Sequence, residues 1–197
     1  RGYSRRQLAD LLNVSVSRVG QLIKSGPKPE RALLGRGAVT IAIGGKHEGG
    51  RDGDATAPKA VTSTESSQAA DLIASTCKDY GLDCERREIV PPPGMVDLNR
   101  ANLIVIGSPR ILPIVGQVLG SDPNLDFDHD DGGWYLVDRT TASTYRSPSD
   151  QGEPRDFAYL GRAPRPDGKG TFFSLAGIHA MGTLGAAHHL ADHIEEL

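Results

Sequence analysis

AVTIAIGG, residues 38–45, is a short apolar run that stops on two glycines. NLIVIGSPR (102–110) and TFFSLAGIHAMG (171–182) repeat the arrangement. A strand buried on both faces shows no polar alternation, and glycine at its carboxyl end permits a sharp turn into the next element. The three runs therefore predict parallel strands of one sheet. Helical stretches lie between and after them. SSQAADLIASTCKDYG (66–81) has a serine cap and a stop at Gly81, and ILPIVGQVLG (111–120) is shorter and interrupted by Pro113. AAHHLADHIEEL (186–197) closes the chain, and CERREIV (84–90) reads as a second strand. GGWYLVD (132–138) and DFAYLGRAPRP (156–166) form a strand-rich insert. The expected fold class is α/β: a mostly parallel, Rossmann-like or flavodoxin-like three-layer sheet with an antiparallel extension.

Sheets of this kind bind ligands at the carboxyl ends of their strands, where the strand order reverses. Three loops should meet there. The first starts at Gly44 and Gly45 and runs long and polar to residue 65. The second is GSPR, with Gly107, Ser108 and Arg110, and the third is GIHAMGT, with Gly177, His179, Gly182 and Thr183. GIHAMGT has two glycines at phosphate-loop spacing but lacks the lysine, which argues against magnesium-dependent phosphoryl transfer. What remains is a turn whose backbone N–H groups suit an anion, or one whose glycines only allow close packing. Arg110 and His179 on neighbouring loops could hold a phosphate or carboxylate, and His179 could act as a base. The ligand is expected to be small and anionic, either nucleotide-like or phosphorylated; no cofactor is named by the residues.

Other clusters carry less. HHLADH (188–193) puts two histidines on one helical face but lacks the glutamate of a zinc protease helix, so no metal is expected. DFDHDDGG (126–133) reads as a solvated acidic loop, too short for a calcium site. Arg139, Arg146 and Asp150 lie in a polar stretch that either reaches over the pocket or moves freely. Cys77 and Cys84 have no partner pattern for zinc, redox work or catalysis.

Ahead of this body stands RRQLADLLNVSVSRVGQLIKSG, residues 5–26. Ser4 can cap a first helix to about Leu12, and Ser15 a second to about Lys24, with Gly26 and Pro27 ending it. Leu8, Leu11 and Leu12 share one inner face; Val19, Leu22 and Ile23 share the other. Leu8, Ala9, Leu12, Val14, Val19 and Leu22 stand where helix-turn-helix transcriptional regulators need an apolar residue, an alanine, a turn plug and the core of the second helix. The stretch resembles that family over about 20 residues, with Asn13 in place of the usual turn glycine. The resemblance implies that the second helix enters the major groove of double-stranded DNA. Ser15, Ser17, Arg18 and Gln21 would then face base edges, while Arg5, Arg6 and Lys24 would meet phosphates. The implied organisation is a helix-turn-helix at 1–27, a linker at 28–36 and the α/β body at 37–197.

Charge agrees with this division. Residues 1–36 hold eight basic and two acidic groups, a charge of +6, and the rest of the chain carries −9. A basic head on an acidic body fits a head that meets a polyanion. With no long apolar span and no signal-like leader, the expected location is cytoplasmic and no membrane partner is expected. Two readings follow from these residues. In the first, the chain is a DNA-binding transcription regulator, a homodimer whose body senses an anionic ligand. In the second, it is an enzyme or hydrolase on a nucleotide-like substrate, with the head as a docking module. The lack of an assembled nucleophile or acid–base pair leans away from an enzyme, and a plain interaction domain is a third alternative.

Overall fold

The computed structural model describes residues 3–25, 37–48 and 59–194, with the backbone alone at Lys24, Ser25 and Arg86. The stop expected at Gly26–Pro27, the linker at 28–36, the middle of the polar loop after Gly45 and the last three residues lie outside these.

The head is a pair of helices in contact, α1 (Arg5–Leu12) and α2 (Val16–Ser25). A capping box starts α1: Gln7 N–H donates to Ser4 Oγ while Ser4 N–H donates to Gln7 Oε1. Asn13 ends it with φ 50°, the left-handed conformation the turn requires. Ser15 Oγ accepts from Arg18 N–H and so opens α2. Packing is thin. Ala9 and Val19 are buried, but Leu11 is 68% exposed, Leu12 54%, Leu22 41% and Ile23 53%. The inner faces expected from the leucine spacing are thus mostly uncovered, because two such short helices bury little beyond one small contact.

The body is built on a five-stranded mixed sheet in the order β4-β1-β5-β10-β9. Its strands are β1 (Val39–Gly44), β4 (Cys84–Val90), β5 (Leu103–Ile106), β10 (Thr171–Gly177) and β9 (Ala158–Pro164). The first four run parallel, and β9 pairs antiparallel to β10. A two-stranded ribbon, β2 (Lys46–His47) with β3 (Ala60–Val61), frames the start and end of the first loop. Helices α3 (Thr64–Asp79) and α5 (Ala180–His193) lie together on one face. There Ile41, Ile43, Ile104 and Ile106 meet Ile73, Ala70 and Leu190. The alternate residues Ala42, Leu103 and Val105 point to the other face. That face is covered by α4 (Pro113–Leu119) and a three-stranded meander of β6 (Leu125–Asp130), β7 (Gly133–Asp138) and β8 (Ser143–Arg146). Connections leaving the sheet in opposite directions arrive on opposite faces, as right-handed crossovers demand. No described helix is long and apolar enough to cross a membrane.

Several boundaries differ from expectation. Pro113 opens α4 rather than interrupting it, since a proline at the first helical position lacks only an N–H that had no partner. The closing helix begins at Ala180, ahead of the expected 186. DFDHDDGG is strand β6 and its turn, not a free loop. Its outward carboxylates are held across the meander, Asp126 by Arg139 and Asp130 by Arg146.

Candidate functional site: a cleft at the strand tips

β1 is the strand at which the order reverses: β4 lies on one side and β5 on the other. Right-handed crossovers going opposite ways leave a crevice between their carboxyl tips. A small, partly open cleft of about 60 Å³ lies there. Of the expected ligand residues, Gly44, Gly107, Ser108, Arg110, Gly177, His179 and Thr183 border it. Lys46, Thr62, Ser63 and Ser66 join them. Lys46 sits at the start of the β2–β3 ribbon, and Ser63 caps α3 by accepting from Ser66 N–H at 3.1 Å. Sequence patterns missed these four, although the lysine two residues beyond a strand end and the serine before a helix were local signals.

The glycines are there for room. At Gly107, φ is 153°, and an added Cβ would meet Leu112 Cδ1 at 3.0 Å. At Gly177 a Cβ would overlap the backbone of His179 and Thr183. Gly45 and Gly182 are not part of the cleft lining. The space a Cβ would need at Gly45 is filled by Ile89 and Val90, and at Gly182 by Asp156 and Phe157.

The turn 177–183 is not an open nest of donors. Asp156 Oδ2 accepts from His179 N–H at 2.8 Å and from Gly182 N–H at 2.9 Å. Thr183 Oγ1 accepts from Gly177 N–H, and Phe157 O accepts from Ile178 N–H. A carboxylate of the chain itself thus caps the positive end of α5. The positive charge bordering the cleft comes instead from Lys46, Arg110 and the amino end of α3, a 16-residue helix. Lys46 and Arg110 both border the cleft, and among the described residues neither side chain has an ion-pair or hydrogen-bond partner.

His179 has a partner. Its Nε2–H donates to Asp150 Oδ1 at 2.7 Å, with both side chains partly exposed at the rim. Asp150 sits on a 3₁₀ turn, Pro148–Gln151, and does reach the cleft rim. Arg139 and Arg146 do not, because each is engaged by β6. The Cys77 thiol is buried in the core and pushed up to about 11, chiefly by burial, so it is not a thiolate at neutral pH. His189 and His193 stack on each other at 4.4 Å. Among the described residues no three His, Cys, Asp or Glu side chains gather to hold a metal ion.

In the head, Arg5, Arg6, Ser15, Ser17, Arg18 and Gln21 are all exposed, and Arg18 Nη1 donates to Gln21 Oε1 at 3.3 Å. The side chain of Lys24 lies outside the described set. Comparison with protein-family models, with curated proteins and with solved structures gives no match for this chain.

Proposed function

We propose that this protein is a DNA-binding regulator whose α/β body senses a small phosphorylated or nucleotide-like anion. The observation that carries the reading is the cleft itself. Two cations, Lys46 and Arg110, with no ion-pair partner among the described residues, share it with His179 and the amino end of α3 at the point where strand order reverses. An anion there would be met by charge on two loops and by aligned backbone N–H groups. The head supports the DNA half of the reading: its second helix presents Ser17, Arg18 and Gln21 to solvent on a basic segment. The uncovered Leu11, Leu12, Leu22 and Ile23 are the surface a second copy would bury, as a dimer on a two-fold site requires. Ligand binding in the body then acts by favouring one spacing of the two heads.

The test is selection of bound duplexes from a random pool, with and without a cell metabolite extract. A defined sequence should emerge, and its affinity should change with the extract. Binding to unselected duplex should fall steeply with salt. Arg18→Ala should cost about 1–3 kcal/mol on the selected sequence and little on other DNA. Failure to retain any duplex at low ionic strength removes the DNA half.

One observation favours a second reading. The His179–Asp150 pair at the cleft rim has the form of an oriented general base, so the body could instead hydrolyse a nucleotide-like substrate. Release of phosphate or base from nucleotides by the wild type, abolished in His179→Ala, would favour that enzyme.

A further inference from the structure

Phe127, Phe172 and Phe173 are buried, whereas Phe157 is 39% exposed. Tyr145 is exposed to a similar extent, and the two rings pack together with centroids 5.3 Å apart and planes tilted by 53°. A ring pair that keeps part of its surface open to water has a face that a flat ligand can cover. Its position is informative. The Phe157 carbonyl accepts from Ile178 N–H at 3.0 Å, and Ile178 lines the cleft. The residue before Phe157 holds His179 N–H, and the segment after Tyr145 carries Asp150 to the His179 ring. Both aromatic residues therefore belong to segments tied by hydrogen bonds to the cationic rim.

The two rings are not in the cleft lining itself, but a cationic cleft with a π-surface on segments bonded to its rim matches a ligand with charge at one end and a flat ring at the other. Inorganic phosphates and sugar phosphates have the charge without the ring. Nucleotides have both, and every nucleobase offers a face for stacking. We propose that Tyr145 and Phe157 form the stacking surface for the base of a nucleotide whose phosphates lie between Lys46, Arg110 and His179. This rests on the anion reading of the cleft and adds to it the chemical class of the ligand.

The experiment is calorimetric titration of the full chain with ATP, GTP, CTP and inorganic tripolyphosphate, without divalent ions. Tripolyphosphate carries a comparable anionic chain and no base. At least one nucleotide should bind about tenfold or more tighter than tripolyphosphate. Phe157→Ala should remove that advantage while leaving tripolyphosphate affinity unchanged, and Phe157→Trp should restore it. Arg110→Ala should weaken all four ligands. Nucleotides that bind no tighter than tripolyphosphate, or a Phe157→Ala variant that loses both equally, overturn the stacking surface and leave the anion cleft standing. No binding of any of the four overturns the cleft as well.

Discussion

Replacing Asp156 by alanine should loosen the start of α5 and the His179 loop together. Its Oδ2 accepts two backbone N–H bonds, from His179 at 2.8 Å and Gly182 at 2.9 Å. Hydrogen bonds to a charged group contribute about 1.5–3 kcal/mol each, and two bonds sharing one oxygen contribute less than twice that. The carboxylate also sits at the positive end of a 14-residue helix, worth up to about 1 kcal/mol more. Against this, Asp156 Oδ1 is buried with no hydrogen-bond partner among the described residues, so part of the charge is poorly solvated. The expected net loss for Asp156→Ala is about 3 kcal/mol. Asp156→Asn keeps one accepting oxygen but loses the charge and puts an NH2 where Oδ1 is buried without a partner, so it should cost about 1–2 kcal/mol, still less than alanine. Urea unfolding followed by far-ultraviolet circular dichroism measures both. An alanine variant within about 0.5 kcal/mol of wild type, or an asparagine variant as costly as alanine, refutes the capping argument.

Asp150→Asn removes a negative charge from the cleft rim and should raise tripolyphosphate affinity several-fold at low salt, with the gain fading as salt is added; unchanged affinity would place the cleft elsewhere. The pH dependence of stability has a defined alkaline limb. Burial raises the Cys77 thiol from 9.0 to about 11, so above pH 9 the unfolded chain releases a proton that the folded chain keeps. Stability from this group is complete below pH 9 and declines through pH 11, by about 2–3 kcal/mol in total. Cys77→Ala should be less stable at neutral pH but flatter across that window; an equally steep limb would assign the loss to other groups. Tyr159, raised to about 12 by burial and by Asp122, adds a further decline at higher pH. In the head, Leu12→Glu combined with Ile23→Glu should shift the chain to a monomer in light scattering and weaken DNA binding. A wild type that is already monomeric at micromolar concentration refutes the dimer.

The sheet was readable because its signal is local. Runs such as AVTIAIGG and NLIVIGSPR carry both the apolar content of a buried strand and the glycine that ends it. The cleft followed from topology, which brought Arg110 and His179 to one rim from loops far apart in sequence. What escaped depends on distant partners. β6 reads as a polar loop until Arg139 and Arg146 are seen to hold its aspartates. The true start of α5 was hidden because its cap, Asp156, stands 23 residues before His179. The same residue takes the N–H groups of His179 and Gly182, so the GIHAMGT turn has fewer free donors than its glycines suggest. In the head, leucine spacing placed Leu11, Leu12, Leu22 and Ile23 on inner faces, and the structure leaves all four exposed, because spacing alone does not say what covers a face.

The floor of the cleft is made by Gly44, Gly107 and Gly177, positions with no side chain to vary. A methyl group at Gly44 would already press on Ile111 at 2.7 Å, so the floor is locked to the core behind it. The side chains that vary the rim are those of positions 46, 110, 150 and 179, at a short edge ribbon, at turns and ahead of a helix. On the sensor reading, a lineage could therefore exchange one chemical signal for another through a few rim substitutions, with its skeleton inherited intact.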